Sequence, residues 1–477
     1  MVGFPTIDST PGLFLRPGER VRWDDYLTLA LRGVRARIPR RRVSPDFDVE
    51  SFRRRLKEFD FETPSSLPEL LPWVIEQLEH GIVHLTHPRY FGLFNPTPTY
   101  ASECADRIVG AFNPQLATST TSPMPVELEA HVISAVAERA GFPPQATGHF
   151  TTGGSEANAT ALNCALTRAN PAVGWDGVAA FAGRPIIYVS ADAHLAWYKI
   201  AHQAGIGRSA VRLVATDRDG RMSVAALTEA INSDIAQKNI PVMLVATAGT
   251  TGAGMIDPLS ACAAFARFHG LWYHVDAAWG GALIASDRLR GTLSGIEAAD
   301  SVTIDAHKWF ATTMGCGMFI TRDPGILSKC FHVSTSYMPS NKPGLDPYVT
   351  SQQWSRRFLG LRLFLSLAVA GWRGYAAHIE RSVQLAELLK TELRAREWRV
   401  VNDSPLAVVC AEPPPGSAPP REIVRQVVES GTAWVSATVF RERDVVRMCI
   451  TNGQSRPDDI RGLVATLCAV ASGAETS

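Results

Sequence analysis

Three short segments carry residue types whose spacing could do chemistry. In Thr151-Thr152-Gly153-Gly154-Ser155-Glu156-Ala157-Asn158, small residues lead into a serine at the start of a run of good helix formers. Backbone N–H groups at such a point are free to face an anion, and the helix dipole favours negative charge there. An ordinary helix start with Ser155 as N-cap reads the same way, and the glycine spacing fits neither a Walker loop nor a dinucleotide fingerprint. In His274-Val275-Asp276-Ala277-Ala278-Trp279-Gly280-Gly281, Asp276 closes an apolar run. A carboxylate buried at a strand end needs a partner. A pyridinium N–H is one, and the pair would keep such a ring protonated as an electron sink; capping the next turn is the alternative role. In Ser301-Val302-Thr303-Ile304-Asp305-Ala306-His307-Lys308-Trp309, a lysine follows an apolar strand, where sites form in open α/β sheets. An amine held among apolar or cationic groups is more easily left uncharged, and a free amine can form a Schiff base. A lone lysine is ordinarily surface decoration; Ile304, Trp309 and Phe310 around this one argue otherwise.

These segments need a scaffold, and the sequence between them supplies one. Pro185–Val189, Val242–Ala246, Trp272–Val275, Ser301–Ile304 and Met318–Ile320 read as short buried strands, with helical stretches such as Pro258–His269 between them. That alternation predicts an α/β fold with a mostly parallel sheet and helices on both faces. Residues 1–90 read as a helical N-terminal arm, 91–370 as a large domain and 371–477 as a small C-terminal α/β domain. A long helical stretch is expected from Trp354 through Leu393, followed by strand–helix units at Leu406–Cys410, Glu422–Glu429, Val445–Ile450 and Asp458–Val470.

The bulk composition narrows the function class. With 477 residues, 46% hydrophobic and 19% charged, the chain suits a globular enzyme of two or three domains rather than a disordered one. A formal charge of +1 gives no whole-molecule field for nucleic acid or membrane. The run from Arg32 to Arg42 is basic, and reads as a solvated helix end or linker ahead of a site for an anionic partner. The eight cysteines form no CxxC pair, so free thiols in a reducing cytoplasm are expected, with neither a disulfide framework nor a metal site. No signal peptide and no stretch of roughly 20 apolar residues is apparent, which predicts a soluble cytoplasmic protein.

The three segments, in this order, resemble the group II pyridoxal-phosphate (PLP) dependent decarboxylases, the family of aromatic-amino-acid and glutamate decarboxylases. Asp276 and Lys308 with His307 before it, the stretch Trp354, Arg356-Arg357-Phe358 and Leu361, and His87-Pro88-Arg89-Tyr90-Phe91 share in the likeness, which runs from about residue 65 to 460. The resemblance implies the PLP fold type I, with a seven-stranded sheet, and a homodimer with its site at the subunit interface. It implies that Lys308 holds PLP as a Schiff base and that Asp276 binds the pyridine nitrogen. His194 would stack on the ring and meet the substrate carboxylate. Gly154, Ser155 and His307 would surround the phosphate, and Thr251 and Ala278 would line the ring. Tyr337, in a Ser- and Pro-rich loop, would protonate the substrate carbon after CO2 leaves.

Two departures stand out. The aromatic decarboxylases carry Asn two residues before the matching His, where this chain has Asp305, a poor neighbour for a phosphate. Their side-chain pocket is partly built from an Ile/Phe/Trp-containing stretch that is here Asn113–Thr121. Gln115 and Thr118 in that stretch, with Phe94 and Asn95, are the expected substrate-binding residues, and amide and hydroxyl groups favour a polar or unusual amino acid over a standard aromatic one. The expected reaction is decarboxylation of an L-amino acid to an amine and CO2. The alternatives on the same residues are decarboxylation-dependent oxidative deamination to an aldehyde and β-elimination; a non-catalytic regulatory homologue would have lost Lys308, Asp276 or His194, which are all present.

Overall fold

A computed structural model describes residues 14–335 and 346–473. Seven strands form the larger sheet: β1 (Thr147–Thr151), β2 (Pro185–Ser190), β3 (Val211–Val214), β4 (Ile240–Thr247), β5 (Trp272–Asp276), β6 (Ser301–Asp305) and β7 (Gly317–Thr321). Their order is β1-β7-β6-β5-β4-β2-β3. Pairings from β3 through β6 are parallel, and β7 runs antiparallel to both β6 and β1. The central strands are buried along their whole length, which is why they are near-continuous apolar runs rather than alternating ones. Helices such as Gly154–Ala169 and Leu259–His269 pack against the sheet. The mostly parallel seven-stranded sheet expected from the sequence is present, as are all five strands read from it.

A second, antiparallel sheet lies toward the C-terminus: β8 (Arg399–Val400), β9 (Val408–Glu412), β10 (Ser436–Phe440) and β11 (Arg443–Cys449), in the order β10-β11-β9-β8. β10 and β11 are joined by Arg441 and Glu442, both left-handed at φ 51° and 62°. Two left-handed residues match the twist of a tight hairpin, although neither is the Asn or Gly that such turns favour.

One expectation needs correcting. The stretch from Trp354 is not helical until Gly360, because Arg356 is drawn inward to a buried ion pair with Glu129 (2.7 Å) and to the carbonyl of Phe150 (2.9 Å). The helix Gly360–Arg394 is then interrupted at Gly371, whose φ of 63° no helical residue adopts. The basic run is the largely exposed end of the helix Pro17–Arg37 and the turn after it, as expected, and four of its arginines also find partners within the chain. Arg37 and Arg41 converge on the buried Glu79 (2.7 and 3.5 Å), Arg35 meets Glu103, and Arg42 donates to the carbonyl of Glu429 (2.6 Å). All eight cysteines are free thiols. Among the described residues, no helix is long and apolar enough to cross a membrane.

Candidate active site

The carboxyl ends of β1, β4, β5 and β6 bring the three chemical segments to one cleft of about 300 Å³. β1 ends at Thr151, and the chain turns through Gly153 (φ 156°) into the helix Gly154–Ala169. The N–H groups of Gly154 and Ser155 have no partner within the helix, so at the cleft wall they are free to face an anion. Glu156 folds back to pin the turn. Its Oε2 accepts from the N–H and the hydroxyl of Thr152 (both 2.7 Å), and its Oε1 accepts from Gln353 (2.7 Å). A Cβ on Gly154 would stand 2.9 Å from Asp305 Oδ2 and 3.3 Å from Ala278 Cβ, so a larger residue in this wall of the cradle would have to displace the Asp305 carboxylate.

Asp276 is buried at the end of β5 and held on both oxygens. Oδ1 accepts from the Ala278 N–H (3.2 Å) and Oδ2 from Asn158 Nδ2 (2.8 Å). Behind Asn158 runs a buried chain of polar groups. Trp272 donates to the Ser301 hydroxyl (2.8 Å), which lies 2.8 Å from His274 Nδ1; His274 Nε2 lies 3.0 Å from Asn158 Oδ1, which also accepts from Thr303 (2.7 Å). Burial pushes the His274 imidazole down to about 4, so the ring is neutral and has one N–H. An indole can only donate. The polarity of the whole chain follows: Ser301 donates to Nδ1, Nε2–H donates to Asn158, and the amide of Asn158 points its NH2 at Asp276. Asp276 is thus supplied with donors while its carboxylate stays open toward the cleft.

Lys308 Nζ enters the same cleft 3.1 Å from Asp305 Oδ2 and 5.7 Å from the centre of the Phe94 ring. Phe94 stacks on Trp279 (4.4 Å) and Trp279 on Trp309 (4.8 Å), an apolar wall beside the amine. His307 is buried, with Nδ1 3.0 Å from the carbonyl of Cys316, and burial lowers its pKa. His194 lines the cleft and accepts from the Ala196 N–H at Nδ1 (3.1 Å), which leaves the proton of a neutral ring on Nε2. Thr251 and Ala278 line it too.

Of the expected residues, Lys308, Asp276, His194, His307, Gly154, Ser155, Thr251, Ala278 and Phe94 therefore share one cleft. Asn95, Gln115 and Thr118 do not line it. Asn95 turns to Met314, Gln115 donates to Ser355 (2.7 Å) and Thr118 is buried against Thr121. Tyr337 lies outside the described residues. The sequence reading passed over Asn158 and Arg447. Arg447, 3% exposed on β11, donates to the carbonyls of Thr251 (2.8 Å) and Gly92 (2.5 Å), and its Cζ sits 4.9 Å from the Phe94 ring centre. It has no carboxylate partner among the described residues, and its buried Nη2 has no hydrogen-bond partner there. It lines an adjoining cleft of about 430 Å³ with Ser436 and Thr438, which shares His194 and Thr251 with the first. An arginine inside the apolar run Val445-Val446-Arg447-Met448-Cys449 was the available signal.

The donor set fits a pyridine aldehyde phosphate. There is an amine for the aldehyde, a donor-fed carboxylate for a ring N–H, and a glycine-walled helix start for the phosphate. Comparison with known proteins agrees. The pyridoxal-dependent decarboxylase conserved domain matches residues 52–412. The aromatic-L-amino-acid decarboxylase of Bacillus atrophaeus is 27% identical over 443 residues, covering 90% of each chain. The L-2,4-diaminobutyrate decarboxylase of Rhizobium meliloti (strain 1021) is 30% identical over 409 residues, covering 84% of this chain and 81% of that one. The crystal structure of mouse CSAD superposes with a TM-score of 0.86 at 26% identity, over 94% of this chain and 98% of its own.

Proposed function

This chain belongs to the pyridoxal-dependent decarboxylase family, and from that premise we propose that Lys308 carries its cofactor and that its substrate is an L-amino acid with a polar side chain. It is a group II PLP-dependent amino-acid decarboxylase of fold type I. Bound PLP supplies an electron sink for the pair left behind when the Cα–carboxylate bond breaks. The chain's own residues orient and charge the site. Lys308 Nζ would hold the cofactor through its aldehyde. Asp276, fed by Asn158 and Ala278, would keep a proton on the ring nitrogen. Gly154, Ser155 and His307 would hold the phosphate, and Thr251 and Ala278 would line the ring. His194 would stack on the ring and offer Nε2–H to the substrate carboxylate. Phe94, backed by Trp279 and Trp309, gives the amine an apolar wall on one side. Tyr337 returns a proton to Cα, which closes the reaction as amine plus CO2.

The observation that carries this reading is the meeting of Lys308, Asp276 and the Gly153–Ser155 turn in one cleft. The side-chain reading is supported by Arg447, Ser436 and Thr438 next to it, a cation and two hydroxyls set among apolar walls that include Leu93, Leu195, Val439 and Phe440. The two curated relatives act on aromatic and diamino substrates by name, so likeness alone leaves the side chain open. The working unit is proposed to be a homodimer, which the exposed Tyr100, Ile108, Phe112 and Met124 would suit. A reducing cytoplasm would suit the free thiols.

Purified protein loaded with PLP should show a visible absorption band that Lys308→Ala abolishes. A panel of amino acids followed for CO2, O2 and ammonia together should give CO2 without O2 uptake, fastest with a polar side chain. Matched O2 uptake and ammonia release would instead establish aldehyde formation, and a preference for tryptophan or tyrosine would refute the polar-substrate reading.

A further inference from the structure

Asp305 sits under the glycine cradle with one cation to answer its charge. Its side chain is 3% exposed. Oδ2 lies 3.1 Å from Lys308 Nζ and 3.8 Å from His307 Nε2, while Oδ1 has no hydrogen-bond donor among the described residues. Cβ atoms on Gly154 and Gly317 would come within 2.9 Å of Oδ2 and 2.6 Å of Oδ1, so the carboxylate packs directly against the turn that would hold a phosphate.

The other charged groups nearby are committed elsewhere. Across the cradle, Glu156 accepts from Thr152 and Gln353, and Asp276 from Asn158. Behind β7, Arg362 pairs with Asp106 (2.7 Å) and donates to the carbonyls of Met314 and Gly315, and Glu129 pairs with Arg356. Burial keeps the Cys316 thiol neutral by pushing it up to about 12, and drives His307 toward its neutral form. Lys308 is the cation left to Asp305.

Loading the cofactor leaves that charge on the Lys308 nitrogen and adds an anion beside Asp305. Condensation of the Lys308 ammonium with an aldehyde forms a C=N bond, breaks the C=O bond and expels water. The positive charge stays on nitrogen, so this step neither consumes nor releases a net proton. It does commit Nζ to the aldehyde carbon and brings a phosphate anion to the far side of Gly154. Two like charges are then left facing each other across a buried turn, a pairing that one added proton relieves.

We propose that Asp305 is a positioning residue whose carboxylate takes up a proton as the cofactor loads, so that cofactor retention weakens as pH rises. This rests on Lys308 being the residue that takes the aldehyde. Asp305→Asn offers a neutral group of the same shape. Calorimetric titration with PLP, in buffers of different ionisation heat, should show about one more proton taken up by the natural protein than by the Asn variant. Its Kd should rise about tenfold per pH unit relative to the variant's, the slope for one linked proton. Proton changes of PLP itself cancel in that comparison. Equal uptake and parallel pH profiles would overturn the inference. Infrared difference spectra of the unsubstituted protein provide a second reading that needs no variant. A carboxylic-acid C=O band should appear on loading, and its absence would overturn the inference too. A visible band lost in Lys308→Ala alongside equal uptake refutes the Asp305 inference alone; a band that survives Lys308→Ala overturns both.

Discussion

Replacing Asn158 by alanine removes the joint between Asp276 and the donors behind it. Three hydrogen bonds go at once: to Asp276 (2.8 Å), from His274 (3.0 Å) and from Thr303 (2.7 Å). The bond to the carboxylate is charge-assisted and contributes about 1.5–3 kcal/mol. The Nε2–H of His274 and the hydroxyl of Thr303 would be left facing a void, at about 1–3 kcal/mol each. They lie 3.4 Å apart, so a tautomer change in His274 lets Thr303 donate to it and recovers part of that loss. A net destabilisation of about 3–5 kcal/mol is expected, near the top of the range for single substitutions. Asp276 would be oriented by the Ala278 N–H alone, at 3.2 Å, so PLP affinity should fall about 10- to 100-fold. Thermal unfolding of the cofactor-free protein reads the first quantity, and titration of the visible band with PLP reads the second. A lowered thermal midpoint with Kd unchanged would make the chain behind Asp276 merely structural. An unchanged midpoint and a Kd within twofold would refute the directional chain itself.

Other consequences are open to direct measurement. Arg447→Met should raise KM by about 10- to 100-fold, the worth of a hydrogen bond to a charged group, with the visible band unchanged; an unaltered KM would remove Arg447 from substrate recognition. Burial lowers His149 to about 3 and His274 and His378 to about 4. Between those values and the ordinary 6.5 of the unfolded chain, the unfolded state binds more protons, so these histidines cost stability as pH falls through that window. Asp257, raised by burial to about 7, acts oppositely from pH 7 down to its ordinary 3.8, since its folded form holds the extra proton. The histidines outnumber it, and the thermal midpoint of the cofactor-free protein should drop from pH 7 to pH 4.5; a midpoint that rises would refute this balance.

The parts of the fold most legible in the sequence are those buried on both sides. β2, β4, β5, β6 and β7 read as apolar runs because the sheet is covered on both faces, and Lys308 and Asp276 were found by standing at the ends of two of them. β1 and β3 were passed over: Thr147-Gly148-His149-Phe150-Thr151 is largely polar, and Val211–Val214 is four residues long with Arg212 inside it. β10 escaped because its turn, Arg441-Glu442, carries no turn residue. Asn158 looked like any polar residue on a helix, and what makes it matter lies 116 residues away at His274 and 145 away at Thr303. The partners of the basic run stayed hidden for the same reason, since Glu79 and Glu103 are remote in sequence and near in space. Local pattern reports burial; it does not report which polar groups meet.

Arg447 reaches the cleft from the four-stranded sheet, whereas Lys308, Asp276 and the Gly153–Ser155 turn hang from the seven-stranded one. Its neighbours Ser436 and Thr438 belong to the same β10–β11 hairpin. The groups that suit the cofactor and those that face the adjoining cleft thus sit on separate scaffolds, in contact through Thr251 and Gly92. With the side chain proposed to enter the adjoining cleft, changes in the hairpin should retune which amino acid is accepted while the cofactor apparatus stays as it is. On that reading, substrate diversification becomes a matter of exchanging one peripheral module, with the reactive centre inherited intact.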